Sequence, residues 1–244
     1  MHGNEPCGAA AMQRIASSFK EGALEPAKGT VFLIHANPEA SSQGRRHSRG
    51  GDDLNRLWDF EFTETLRREA WGYEHHRVLE LKEVLGELDL FLDLHSARTP
   101  TPPFGISNGE ASIDDIAKEV GISFLVQSWY GLADKVITGF LKLAGVPALS
   151  VECGSHDDPE ISDTAHRIAM NFLRVTGVID DGNESNGTSS TTATKATAPK
   201  CEPSTSSKRS PNQATSSASA HHGRASNSSS PAPSSAAIAS RRSA

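Results

Sequence analysis

The chain has 244 residues, 36% of them hydrophobic, and no run of 18 or more apolar residues, which argues against a membrane-spanning helix. The net charge of −6 divides unevenly: residues 182–244 hold seven Lys or Arg against two Glu, which leaves about −11 on the preceding body and argues against nucleic-acid binding. Cys7, Cys153 and Cys201 make no disulfide framework and no apolar leader opens the chain, so a cytoplasmic protein without membrane attachment is expected.

The chain opens MHGNEPCG. His2 and Glu5 stand three apart, just before a helix expected over 6–20, where Pro6 suits a first turn. Alone the pair is weak, since ten His make about 0.7 such matches expected by chance. TVFLIHA (30–36) reads as a buried strand. NPEASSQGRRHSRGGDDLNRLWD (37–59) has no period, and a loop of that length inside a domain is usually functional or disordered. In it Arg45, Arg46, Arg49 and Arg56 crowd near Asn55. Arg with Asn suits bidentate recognition of a carboxylate, and an Arg can stabilise an oxyanion; the alternative is a solvated surface loop.

Residues 74–88 place Val78, Leu81, Val84, Leu85 and Leu88 on one helical face. DLFLDLH (89–95) is a strand, and residues 112–121 are a helix with Ser112 as N-cap and Gly121 past its end. A strand over 123–129, a helix over 132–145 and a strand over 147–152 come next. The last helix is expected from Asp158 as N-cap, with Pro159 first, to Gly177. From about Asn183 the chain turns to Ser, Thr, Ala, Pro and Asn, which cannot bury enough apolar surface to offset chain entropy. The expected organisation is a folded domain over 1–181 and a disordered tail over 182–244.

Alternating helices and continuous apolar strands predict an α/β domain with a mostly parallel sheet covered on both faces. Sites in such sheets gather at the carboxyl ends of strands, where His95 closes FLDLH and Glu152 closes ALSVE. His2, Glu5 and His95 supply two nitrogens and a carboxylate, the ligand set of a catalytic zinc with one open position, and Glu152 could take a proton from water there. Asp93, two before His95, leaves the same strand face and could bond a ligand or be a plain polar strand residue. Cys7 and Cys153 read as small core residues, and His75, His76 and His156 as surface. Trp129 and Tyr130 suit a pocket rim, with packing favoured over substrate contact.

HGNE, DLNR, DLH and VECG occur in that order with compatible spacing, and NP (37–38) comes just after the first strand. Together they resemble the succinylglutamate desuccinylase/aspartoacylase family, related to the M14 zinc carboxypeptidases, over about residues 1–178. The resemblance implies a three-layer α/β/α zinc-carboxypeptidase-like domain with a mostly parallel mixed sheet, one Zn2+ per chain, and hydrolysis of a small carboxylated amide such as an N-acyl amino acid. By motif, His2, Glu5 and His95 match the metal ligands, and Glu152 the residue that activates water. Asn55 and Arg56 match the residues that hold the substrate carboxylate, and Arg46 the one that polarises the carbonyl, with Arg49 its rival. Two departures carry expectations of their own. Met1 directly precedes HGNE where family members have a strand and a Gly-containing turn, so the first strand is expected to be missing, leaving a sheet edge or cavity. The Ser/Thr-rich tail stands where named aspartoacylases carry a β-rich domain. The alternative functions are a carboxypeptidase acting on short peptides and a truncated, catalytically silent relative.

Overall fold

Leu90–Ala97 is the strand on which the fold is organised. Successive side chains leave opposite faces, so Leu92 and Leu94 point one way while Phe91, Asp93 and His95 point the other. The computed structural model describes residues 2–59, 68–127, 135–180 and 237–241. These lie in one compact unit formed by 1–185 with 231–244.

The strands are β1 (Thr30–Ile34), β2 (Leu90–Ala97), β3 (Phe104–Ser107), β4 (Leu125–Gln127), β5 (Ala148–Ser155) and β6 (Ala237–Arg241), in the sheet order β1-β6-β2-β5-β3-β4. The sheet is mixed: β2–β5 and β3–β4 are parallel, while β6 runs antiparallel to both its neighbours and β3 antiparallel to β5. The helices are α1 (Pro6–Lys20), α2 (Pro38–Ser42), α3 (Tyr73–Leu85), α4 (Ala111–Val120), α5 (Ile137–Leu143) and α6 (Ile161–Val175).

Two cores result, one on each face of the sheet. On one face Ile15 of α1, Ile113 of α4 and Phe172 of α6 cover Leu92, Leu94, Leu149 and Val151, all fully buried. On the other, Leu81 and Leu85 of α3 and Ile137 and Leu141 of α5 join Trp58 over Phe91 and Ala148. Each such side chain stabilises the fold by about 1.5–3 kcal/mol. Helices on both faces make the three layers. On the second face the pattern turns polar toward the strand ends, where Asp93 and His95 of β2 lie beside Ser150 and Glu152 of β5, with His95 paired to Glu152 in register.

Several elements depart from the sequence reading. α2 forms inside the long loop because Pro38 starts it and the Asn37 side chain accepts the Ala40 N–H at 3.0 Å. β3 lies in a Pro- and Gly-rich stretch with no apolar run, and pairing on both sides sustains it. Glu110 rather than Ser112 precedes α4, and Glu160 rather than Asp158 precedes α6; the Asp158 carboxylate instead accepts the Glu160 N–H at 2.9 Å. The described part of the helix expected over 132–145 is α5, and of the strand over 123–129, β4. Trp129 and Tyr130 lie outside the described residues.

The largest departure is β6. Residues 237–241 belong to the stretch expected to be disordered, yet they form a strand between β1 and β2, with Thr30 paired to Arg241 and Leu92 to Ile238. β1 and β2 do not pair with each other; β6, from the distal part of the sequence, lies between them. Strand pairing uses main-chain groups, so a short segment suffices where two neighbours offer free edges. Ile238, fully buried, adds its side chain to the α1 face. The rest of the expected tail, 182–236 and 242–244, lies outside the described residues.

Candidate metal centre and cavity

The HGNE segment is a tight turn: the Glu5 N–H bonds the His2 carbonyl at 3.2 Å, and α1 begins at the next residue. Gly3 makes the turn possible, because a β-carbon there would lie 2.2 Å from the Ala40 carbonyl carbon of α2. The turn packs directly on α2, and the Gly3 N–H reaches the Arg46 carbonyl at 3.4 Å.

His2, Glu5 and His95 are all buried, with their donor atoms within 4.8 Å of one another. The two imidazoles meet the Glu5 carboxylate through the same nitrogen. His2 Nδ1 lies 2.8 Å from Oε1 and His95 Nδ1 2.7 Å from Oε2. Their far nitrogens are held from outside, His2 Nε2 by Asp53 at 3.0 Å and His95 Nε2 by Asp93 at 2.7 Å. A carboxylate on the outer nitrogen fixes ring orientation and raises ligand basicity at metal sites. Two imidazoles and one carboxylate, each outer nitrogen already engaged, fit a divalent metal with an open position.

The electrostatics follow from burial and pairing. Burial works against charge on Glu5, but His95 and His2 override it and hold its carboxyl far below the usual range. Asp53 is likewise depressed against its own burial, by His2 and then Arg46. Asp93, fully buried, is held at about 2 by His95. Burial opposes charge on His95 too, yet Asp93 and Glu5 push it up to about 10. Without a metal the cluster is an ion network, and a cation entering it takes over a charge already compensated.

The cluster opens on a cavity of about 300 Å3 lined by His2, Glu5, His95, Glu152, Arg46, Asn55 and Arg56. All seven residues singled out by motif therefore face one space. Glu152 presents a buried carboxylate oxygen with no hydrogen-bond partner among the described residues. Arg46 bonds Asp53 through Nε at 2.9 Å and Nη2 at 2.8 Å, so one carboxylate joins it to His2. Arg49 does not line the cavity. The Asn55 side-chain oxygen accepts the Ile137 N–H at 3.1 Å at the start of α5, and Arg56 Nη1 bonds the Asn55 carbonyl at 2.7 Å.

The Arg-rich loop is pinned from beneath. Glu74 of α3, fully buried, accepts the Ser48 N–H at 2.6 Å, the Ser48 hydroxyl at 2.9 Å and the Asn37 amide at 3.1 Å. His75 is buried, not at the surface, and accepts the Gly72 N–H at 3.2 Å. His156, also expected at the surface, lines the cavity, whereas His76 is exposed. Cys7 and Cys153 are free and buried in the core on the α1 face, as small core residues would be. Asp53, Ser96 and His156 carried no signal as isolated letters. Asp53 was findable only as the first residue of DLNR, whose role emerges once the chain brings it to His2.

Comparison with known proteins gives one consistent result. The profile of the succinylglutamate desuccinylase/aspartoacylase catalytic domain matches residues 1–176. A succinylglutamate desuccinylase of Pseudomonas paraeruginosa is 34% identical over 99 residues, 40% of this chain and 29% of that protein. In fold the chain is similar to the succinylglutamate desuccinylase of Chromobacterium violaceum, with TM-score 0.57, 19% identity, and 70% of this chain and 60% of that one covered. It is similar also to murine aminoacylase 3, with TM-score 0.57, 22% identity, and 72% and 61% covered. The chain thus spans under a third of the curated relative and about three fifths of these two structures.

Proposed function

We propose, for a chain that belongs to the succinylglutamate desuccinylase/aspartoacylase family, that residues 1–181 form a zinc-dependent hydrolase domain that cleaves the amide bond of an N-acyl amino acid or a related carboxylated amide. One observation carries the reading: two imidazoles and a carboxylate converge beside a second carboxylate with a free oxygen, in a cavity that also holds an Arg–Asn–Arg set. His2, Glu5 and His95 would hold the zinc, one ion per chain. A bound ion would supply Lewis acidity and lower the pKa of a water toward about 7.

The chain's own residues do the rest. Glu152, whose carboxylate lines the cavity, accepts a proton from the attacking water and returns it to the departing amine. Arg46, oriented by Asp53, offers its guanidinium to the oxygen that becomes negative as the carbonyl turns tetrahedral. Asn55 and Arg56 clamp the substrate carboxylate, with Asn55 steadied by the start of α5. No helix among the described residues is long and apolar enough to cross a membrane, and the two free, buried thiols suit a reducing cytoplasm.

The test is a substrate panel on the full chain supplied with zinc. N-succinyl and N-acetyl amino acids are expected to release free amino acid, and the same N-acyl compounds with the α-carboxylate converted to a carboxamide to react far more slowly. Turnover of dipeptides alone would replace this reading with a carboxypeptidase. A zinc-loaded chain that hydrolyses neither would overturn both.

A further inference from the structure

β5 does not end on the register with which it begins. His95 pairs with Glu152, but Ala97 pairs with Ser155, so β5 carries one extra residue between these pairs. Gly154 sits in this bulge at φ +134°, a conformation that side chains rarely adopt. Bulges beside active sites bend the strand and re-aim the side chains after them. The first residue past the end of β5 is His156, whose N–H bonds the Ala97 carbonyl at 2.8 Å. Its ring nitrogen Nδ1 lies 2.7 Å from the hydroxyl of Ser96, the residue after the metal-centre His95. Both residues line the cavity, and no motif role accounts for either.

We propose that His156 is a substrate-contacting residue and Ser96 the group that positions it. Ser96, 3% exposed, serves the ring rather than the substrate. In the proposed arrangement its hydroxyl donates to Nδ1, which leaves Nε2 to carry the ring proton. Nε2–H is the donor offered to the cavity, and its acceptor is an oxygen of the bound amide substrate, acyl or carboxylate. The cavity then binds oxygen from two origins: Asn55 and Arg56 on the loop, and His156 from the end of β5. A donor built on a strand end is held more rigidly than one on a loop, which suits a contact that orders the acyl group against the carboxylate clamp.

The inference rests on the amidohydrolase reading, and the experiment separates the two. Wild type, His156→Phe, His156→Gln, Ser96→Ala and the Ser96→Ala/His156→Phe double variant are compared as zinc-supplied full chains. Steady-state kinetics are run on the best N-acyl amino acid, with metal content and melting temperature measured alongside. Phe keeps the ring and removes the donor, and kcat/KM should fall on the order of 10- to 100-fold with metal content and melting temperature unchanged. Gln carries an amide donor near the position of Nε2 and should recover much of the loss. Ser96→Ala should lose less than His156→Phe, and the double variant no more than His156→Phe alone. His156→Phe within two-fold of wild type overturns the proposal. So do losses that multiply in the double variant, or a Gln variant as poor as Phe. An inactive wild type refutes the amidohydrolase reading instead.

Discussion

Each imidazole of the candidate metal centre stands between two carboxylates: His95 between Glu5 and Asp93, His2 between Glu5 and Asp53. The network ties metal affinity and stability to pH with definite signs. His95 is raised from 6.5 to about 10, so its contribution to the metal-free fold is complete below pH 6.5 and is lost as pH climbs toward 10. The depressed carboxyls Glu5, Asp53 and Asp93 act in the opposite sense, contributing above their ordinary range near 4 and losing it as pH falls toward 2. The metal-free protein is therefore expected to be most stable between about pH 4.5 and 6.5 and to weaken above it, which melting temperatures across pH in chelator would check. Zinc held as proposed would displace the His95 proton, so its affinity should rise over about pH 6.5–9 with proton release measurable by calorimetry in two buffers. Glu152 Oε2, beside His95, has no hydrogen-bond partner in this network. Glu152→Gln should retain the metal and lose about 10²–10⁴-fold in turnover; bound zinc measured beside kcat separates that result from a collapsed site.

At the scale of elements, the loop from α2 to the 3-10 turn at Leu54–Arg56 places Arg46 and Asp53, and Glu74 of α3 ties it down by hydrogen bonds to Ser48. Glu74→Ala would strand the Ser48 N–H and the Asn37 amide in a buried place, at about 1–3 kcal/mol each. The expected outcome is a lower chemical-denaturation midpoint together with a fall in kcat/KM, because the loop carries Arg46, the proposed oxyanion donor. This arrangement shows which features were legible in the sequence and which were not. His2, Glu5, His95 and Glu152 could be read because strand ends and short motifs are local patterns. Glu74 could not, because a carboxylate on an amphipathic helix looks like solvent-facing charge until a distant loop supplies its donors. The sequence reads His156 as surface for a related reason: it follows a one-residue bulge, and bulges leave little trace in periodicity.

For the molecule as a whole, β6 decides whether the sheet is one body. Apolar runs announced β1, β2 and β5, but AIASR has a single β-branched residue and sits in Ser- and Ala-rich text, so composition placed it with the disordered stretch. Its strand state comes from its neighbours, which propensity does not register. Ile238→Ala should cost about 2–5 kcal/mol, as for a buried core side chain, and removal of 237–241 should leave β1 unattached to β2. Equilibrium denaturation of the Ile238 variant checks this, since an unchanged midpoint would mean the segment does not pair as described.

β6 also sets an order of events during synthesis. β2 and β5 can pair early, bringing His95 beside Glu152, but β1 cannot join them until residues 237–241 have been made. At about 5–20 residues per second, the interval between making His95 and making Ile238 is roughly 7–30 s. Throughout it the nascent sheet carries two unsatisfied edges, and it is over those seconds that a passing strand from another chain competes for the place β6 will take.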